Sequence, residues 1–374
     1  MNFIVSSSQL LSHLQAVSRV ISTKNTLAIL DNFLFDLNGN KLTITASDVE
    51  TTMTTSFDVD SATGEGKIAI DSKRLVNILK EFPEQPLTFN IDDNTLAVDI
   101  VSENGKFSVV GMNGQDFPQP QELGNEQCSV TMSSDVLLQG VSKTLFATST
   151  DELRPVMTGI FVDISQSKIT FVASDAHKLV RYSRTDIQTD NQSSFILPQK
   201  PANLLKNIIH KDNDEVRLAF DKKNATIEFG EYKIICRLIE GNYPNYQAAI
   251  PTDTPRKLTI DRVDLCNCLR RVAVFSSQAS NLIKLSITAN QLTVSAQDID
   301  FSISAHERVK CQYEGEEMEI GFKSIFLIEI LSNLNCTDVV VNLSDSTKAG
   351  TFIPADGATA DEDVLMLLMP MMIN

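Results

Sequence analysis

The chain has 374 residues, 42% of them apolar and 21% charged, with a mean hydropathy near zero. At about 150 residues per domain this predicts two or three domains with real cores, and it excludes disorder over the bulk of the chain. Against 48 acidic residues stand 32 basic ones, a net charge of -16, which at face value speaks against nucleic acid.

From the N-terminus, the first residues carry neither a basic lead nor an apolar core, so no secretory signal is expected and the default address is the cytoplasm. An amphipathic run over 7–24 opens with serines and continues with leucines at helical spacing. The stretch Lys41-Leu42-Thr43-Ile44-Thr45 then alternates with period two, as a half-buried strand does, and ends in Ala46-Ser47-Asp48. A second amphipathic run covers 71–82, and Asp116-Phe117-Pro118 closes a strand-like segment. The same order restarts with a helical run at 133–146, an alternating stretch 168–172, Ala173-Ser174-Asp175, a helical run at 198–211 and Asn242-Tyr243-Pro244. It restarts again with 262–275, 291–295, Ala296-Gln297-Asp298, 321–334 and Leu368-Met369-Pro370. Pro118, Pro244 and Pro370 are spaced 126 and 126 residues apart, and the tripeptides 127 and 123. The chain therefore reads as three repeats of an α+β unit, each with two helices and about eight strands, bounded at 1–124, 125–253 and 254–374. The longest apolar run, 364–373, falls well short of the ~18 residues of a membrane span, so no membrane partner is expected.

Charge is unevenly spread over these elements. The six helical runs hold 13 basic residues, including Lys24, Lys73, Arg74, Lys200 and Lys211, and 5 acidic ones, a net of +8 that leaves -24 on strands and loops. Lysine prefers helices to strands, but glutamate shares that preference and is nearly absent from the runs. A mildly basic helical face suits loose, sequence-independent contact with phosphates. No base-reading motif accompanies it.

Other chemistries fit the sequence less well. Cys266 and Cys268 form a C-x-C pair in a helical run and point to nearly opposite sides, so they do not share a metal, and the six cysteines read as plain buried thiols. No phosphate-cradling loop or metal spacing occurs, and no cofactor is expected. Ser174, Asp175 and His177 contain the residue types of a hydrolytic triad, but a strand turns Ser174 away from the other two, and a turn-closing Asp is favoured over a hydrolase. A β-rich adhesion or lectin-like repeat protein is the other alternative, disfavoured by the unpaired cysteines. Met366, Met369, Met371 and Met372 place four of the ten methionines in seven residues, which suits a surface that accepts several partners.

Thr26-Leu27-Ala28-Ile29-Leu30, Ala46 to Glu50, Asp116-Phe117-Pro118, Ala173 to Leu179, Glu240 to Tyr246, Glu317 to Phe322 and Met369-Pro370-Met371 recur in the order and spacing of one family. Over its full length the chain resembles the bacterial β sliding clamps, the processivity subunits of replicative DNA polymerases. The resemblance implies three similar clamp domains per chain and a homodimer closed into a ring, with helices lining the hole and sheets outside. It implies no catalysis, and duplex DNA bound without sequence specificity. The replicative polymerase, the clamp loader and other proteins would bind through a short clamp-binding peptide. By the same resemblance Lys24 and Lys200 are the DNA contacts. Met157, Ser174, Ala176, His177, Lys178, Leu179, Pro244, Leu367, Leu368, Met369, Pro370 and Met371 form the peptide pocket. Lys73, Arg74 and Phe107 would face Val274, Phe275, Asp298 and Asp300 of a second copy. The sequence departs from the family at Pro155 and Val156, at Gln247 and Ala248, and at Met372, which alters the polar rim of the pocket.

Overall fold

The computed structural model describes residues 1–121, 123–124, 127–187, 189, 192–210 and 215–373. Six α-helices lie among them: α1 (Ser7–Val17), α2 (Ser72–Lys80), α3 (Ser134–Thr144), α4 (Gln199–Ile208), α5 (Arg262–Ala273) and α6 (Ser324–Asn333). Each falls inside an expected run and is shorter than it. Strands run straight into helices, and the last strand residue often caps the first turn. Ser6 accepts from the Gln9 amide (3.2 Å), Asp71 from Arg74 (2.7 Å) and Asp261 from Asp264 (2.7 Å). Each cap satisfies an amide that the helix itself leaves unbonded. The first run ends early, in a 3-10 turn at Ser18–Val20, so Lys24 sits in a loop. Lys323 ends a strand, and Lys211 lies outside the described residues. The helices proper hold nine basic and three acidic residues, a net of +6 in place of the expected +8.

The chain folds as two compact units, residues 1–138 with 200–238 and residues 139–199 with 239–374. In the first, a five-stranded sheet runs in the order Ser61–Thr63, Asn2–Ser6, Pro86–Ile91, Ala97–Val101, Lys106–Val110. A nine-stranded sheet in the same unit joins strands of the first repeat, ending with Thr51–Asp58, to Tyr232–Arg237 and three further strands of the middle repeat. Phe3 and Phe89 stack at 4.8 Å, and Phe35 lies 6.4 and 6.2 Å from them, all fully buried. These three rings tie the two sheets into one core. The second unit repeats the plan. Its nine-stranded sheet joins Lys178–Arg184 of the middle repeat to Glu362–Leu368 of the third, and a four-stranded sheet runs Ile303–Lys310, Gln291–Asp298, Leu282–Thr288, Met318–Lys323. Phe322 and Phe352 meet edge-on at 6.2 Å across it.

The repeats are thus joined by backbone ladders as well as by linkers. Met53 pairs with Ile234 at the first junction, and Leu179 with Leu367 at the second, both antiparallel. Cys236, Cys266 and Cys268 are buried, as expected, whereas Cys128, Cys311 and Cys336 are only half-buried; all six are free thiols. No helix among the described residues is long and apolar enough to cross a membrane.

His13 of α1 sits at the first junction. Its Nδ1 shares a 2.9 Å hydrogen bond with the Thr55 hydroxyl, its ring stacks on Phe57 at 4.1 Å, and Nε2 lies 3.5 Å from Glu231. Burial holds its pKa below the usual imidazole value, outweighing the opposing pull of Glu231. Above about pH 6.5 the imidazole is neutral folded and unfolded alike; below it the unfolded chain binds the proton more readily, so stability falls with pH. His13→Gln is expected to flatten that decline between about pH 7 and pH 5 in denaturant melts, while the wild type loses stability over the same range.

Candidate functional site

The turn after each Ala-x-Asp tripeptide is built by its own polar side chains. In the middle repeat the Asp175 carboxylate accepts from the His177 and Lys178 amides at 2.9 and 2.8 Å. The Ser174 hydroxyl donates to the Lys178 carbonyl (2.9 Å) and accepts from the Ala176 amide (3.2 Å). Ala176 takes a φ of 74°, a conformation that is uncommon for a residue with a Cβ and is held here by these bonds. The first repeat repeats the turn with Ser47, Asp48 and Val49, whose φ is 82°. The residue types of a triad are therefore committed to turn closure. Ser174 is bonded to backbone, and the His177 ring stacks on Phe326 of α6 at 5.7 Å. These three side chains therefore form no relay from a base to a nucleophile.

Around this turn the second unit assembles an apolar wall. Leu179 and Leu367 pack with Val172 and Ala349, and the partly buried Phe161, Tyr243, Tyr246, Ile250 and Leu365 lie against them. Phe161 and Tyr243 stack at 4.9 Å, and burial pushes the Tyr243 phenol upward, so it stays protonated. Met157 is buried and Pro244 exposed. Met371 and Pro370 are half-buried, and Met369 is 42% and Met372 81% exposed. The terminal segment is pinned at two points, the Met369 amide donating to the His177 carbonyl and the Met371 amide to the Gly321 carbonyl, both at 2.8 Å. Gly321 permits that approach, since a Cβ there would lie 2.7 Å from the Met371 carbonyl oxygen.

Two expected pocket residues are placed differently from the others. Leu368 alternates with Leu367 along the strand, points to the opposite face and is fully buried. Lys178 is 5% exposed, with its ammonium bound by carboxylates. Phe326 and Glu329 of α6, which meet His177 and Lys178, were not singled out from the sequence. An apolar helix with one carboxylate was the available sign.

The cations of the helices are partly neutralised. Lys200 is ion-paired with Asp48 and donates to the Val20 carbonyl, Arg271 pairs with Glu307, and Arg262 donates to the Cys336 and Leu331 carbonyls. Lys143 lies 3.9 Å from Glu362. Lys24 is exposed, and with Lys80, Lys206 and Arg270 has no carboxylate partner among the described residues.

Exposed apolar side chains gather at two sheet edges. Lys106–Val110 is the last strand of the five-stranded sheet, with Phe107 37% and Val110 77% exposed. Phe107 and Arg74 help line a concavity of ≈ 210 Å³ with Leu75 and Ile78, and Lys73 is exposed beside Arg74 on α2. Ile303–Lys310 is the outer strand of the four-stranded sheet, and near it Ile299 and Phe301 are 79% and 77% exposed. Val274 and Phe275, just after α5, are 74% and 38% exposed. Asp300 is exposed, whereas Asp298 is buried and accepts from the Asp300 and Phe301 amides, so it closes a turn.

Known proteins match the chain throughout. Residues 1–121, 131–245 and 247–372 match the N-terminal, central and C-terminal domains of the DNA polymerase III beta subunit family. The beta sliding clamp of Synechococcus elongatus is 28% identical over 365 residues, 95% of this chain and 96% of that relative. Two solved sliding clamps, both bound to griselimycin, superpose over the whole of both chains. The one from Pseudomonas aeruginosa has a TM-score of 0.94 at 23% identity, and the one from Bartonella birtlesii 0.91 at 28%.

Proposed function

The chain belongs to the family of the DNA polymerase III beta subunit, the bacterial β sliding clamp, and we propose that two copies close head to tail into a ring around duplex DNA. It is a DNA sliding clamp that confers processivity on its DNA polymerase. Its three domains correspond to 1–124, 125–253 and 254–374.

One observation carries the ring. The strand after each acidic turn is Thr51–Asp58, Lys178–Arg184 or Ile303–Lys310, and the first two of these pair with the last strand of the following repeat. The third has no such partner, and Lys106–Val110, which like Tyr232–Arg237 and Glu362–Leu368 is the third strand after its repeat's second helix, is an edge as well. A second copy supplies each missing partner and removes both edges, which otherwise invite uncontrolled pairing. Phe275 of one copy fits the concavity beside Phe107 of the other, and Asp300 meets Lys73 and Arg74 at the rim, while Asp298 braces the turn from inside. An apolar centre with a charged rim is ordinary interface anatomy. Changing Val274 and Phe275 together to Ala is expected to yield folded monomers in analytical ultracentrifugation; a dimer that persists at nanomolar concentration removes the assignment.

In the ring the helices line the hole and the acidic sheets face outward. Lys24, Lys80, Lys206 and Arg270 have no carboxylate partner among the described residues, and a loose set of such cations supports weak, salt-sensitive contact and sliding. Loaded protein is expected to persist on closed circular DNA and to run off linear DNA, with equal retention on both counting against sliding. Lys24→Glu should lower loading without unfolding. Lys200→Glu should also loosen the first junction, because it sets a second carboxylate beside Asp48.

Polymerase, clamp loader and other partners are proposed to dock a short peptide on the wall of Leu179, Leu367, Met157 and the terminal Met369-Pro370-Met371, edged by Ser174, Ala176, His177 and Pro244. Burying a few hundred Å² there at about 25 cal/mol per Å² gives several kcal/mol gross and roughly micromolar affinity after ordering costs. With Ala248 and Met372 on the rim, binding should depend weakly on salt. Met371→Ala is expected to cost about 1–2 kcal/mol of peptide affinity by fluorescence polarisation while sparing the dimer. Leu179→Ala should cost at least as much, with some loss of stability because Leu179 is buried. Wild-type binding by both variants would place the pocket elsewhere.

A further inference from the structure

We propose that Lys178 is a positioning residue for peptide binding: a buried electrostatic clasp that holds the 174–178 turn against α6 and so sets the shape of the pocket without touching the peptide. The inference rests on the pocket reading above. Lys178 Nζ lies 2.9 Å from Asp175 Oδ2, 3.0 Å from Glu329 Oε2 and 4.3 Å from the centre of the Phe326 ring. The ammonium donates to Asp175, lies within ion-pair range of Glu329 Oε2 without hydrogen-bonding it, and faces the Phe326 ring, and Lys178 is 5% exposed. Its burial and these neighbours turn it away from a ligand. The carboxylate it grips is the one that closes the turn, through the amides of His177 and Lys178. His177 in turn stacks on Phe326 and accepts the Met369 amide. The pocket edge, α6 and the terminal segment therefore converge on two consecutive residues.

The first junction supports the same role independently. There Thr51 stands where Lys178 stands in the second turn, and the equivalent Asp48 is instead gripped by Lys200 of α4. At both junctions a lysine engages the turn-closing aspartate and ties its turn to the second helix of the next repeat. Glu329, the only charged residue of α6, stands opposite the Lys178 ammonium as an ion pair. Breaking a buried pair leaves an uncompensated charge, so removing Lys178 should displace the turn.

The test uses two capped pentapeptides, Ser-Ser-Leu-Leu-Phe and the same peptide with aspartate first, against the full-length dimer. Lys178→Met is expected to weaken both alike, by about tenfold, with Lys178→Arg recovering to within about threefold of wild type. Glu329→Gln, at a site 41% exposed and so tolerant of change, should weaken both by about threefold. Adding it to Lys178→Met should cost little more, since the two act as one unit. Loss confined to the aspartate peptide would mean direct contact and overturn the proposal. So would wild-type affinity in Lys178→Met and Glu329→Gln while Met371→Ala and Leu179→Ala bind weakly. If those two controls also bind as wild type, the pocket reading fails first and the clasp with it.

Discussion

A strand that ends a sheet presents a row of unbonded amides and carbonyls, and this fold is organised around where those edges go. At the first junction Thr51–Asp58 is closed by Tyr232–Arg237, and at the second Lys178–Arg184 by Glu362–Leu368. Each ladder makes two repeats share one nine-stranded sheet. Two edges are left, Ile303–Lys310 and Lys106–Val110, each fringed by exposed apolar side chains. The proposed ring is the repeat pattern carried to completion, with the last junction made between chains instead of within one.

The turns beside these ladders carry the chemistry. The same serine and aspartate that close the hairpin leave one carboxylate oxygen for a lysine, and the lysine reaches a helix of the next repeat. Other cations of the helices are likewise engaged within the protein. Lys200 and Arg271 are spent on carboxylates, and Arg262 on backbone carbonyls. Lys24, Lys80, Lys206 and Arg270 keep no carboxylate partner among the described residues, a loose set that suits a clamp that slides.

Much of this was legible in the sequence because the repeat is written into local pattern. Period-two alternation before Ala46, Ala173 and Ala296 marks strands, serines and aspartates mark helix starts, and three prolines at fixed spacing mark the repeat length. Terminal turns were less legible. The first helix ends at Val17 where the sequence pattern runs on to Lys24, and Ser18 bonds back to the Gln15 carbonyl there. Within the proposed pocket, Leu179 and Leu367 pack in one apolar cluster, whereas Leu368 was grouped with them although strand alternation turns it away.

Sequence alone determined the number of repeats, the order of their elements, the acidic strands and basic helices, and the apolar C-terminal stretch, since each depends on neighbours within a few residues. Only the tertiary structure decided which strands meet at the junctions, which edges stay open, and which charges cancel. Lys178 and Glu329 are 151 positions apart in the chain, and Lys200 and Asp48 are 152 apart. Residues so distant leave no periodicity in a single sequence; their pairing exists only once the sheets have set the turns against the helices.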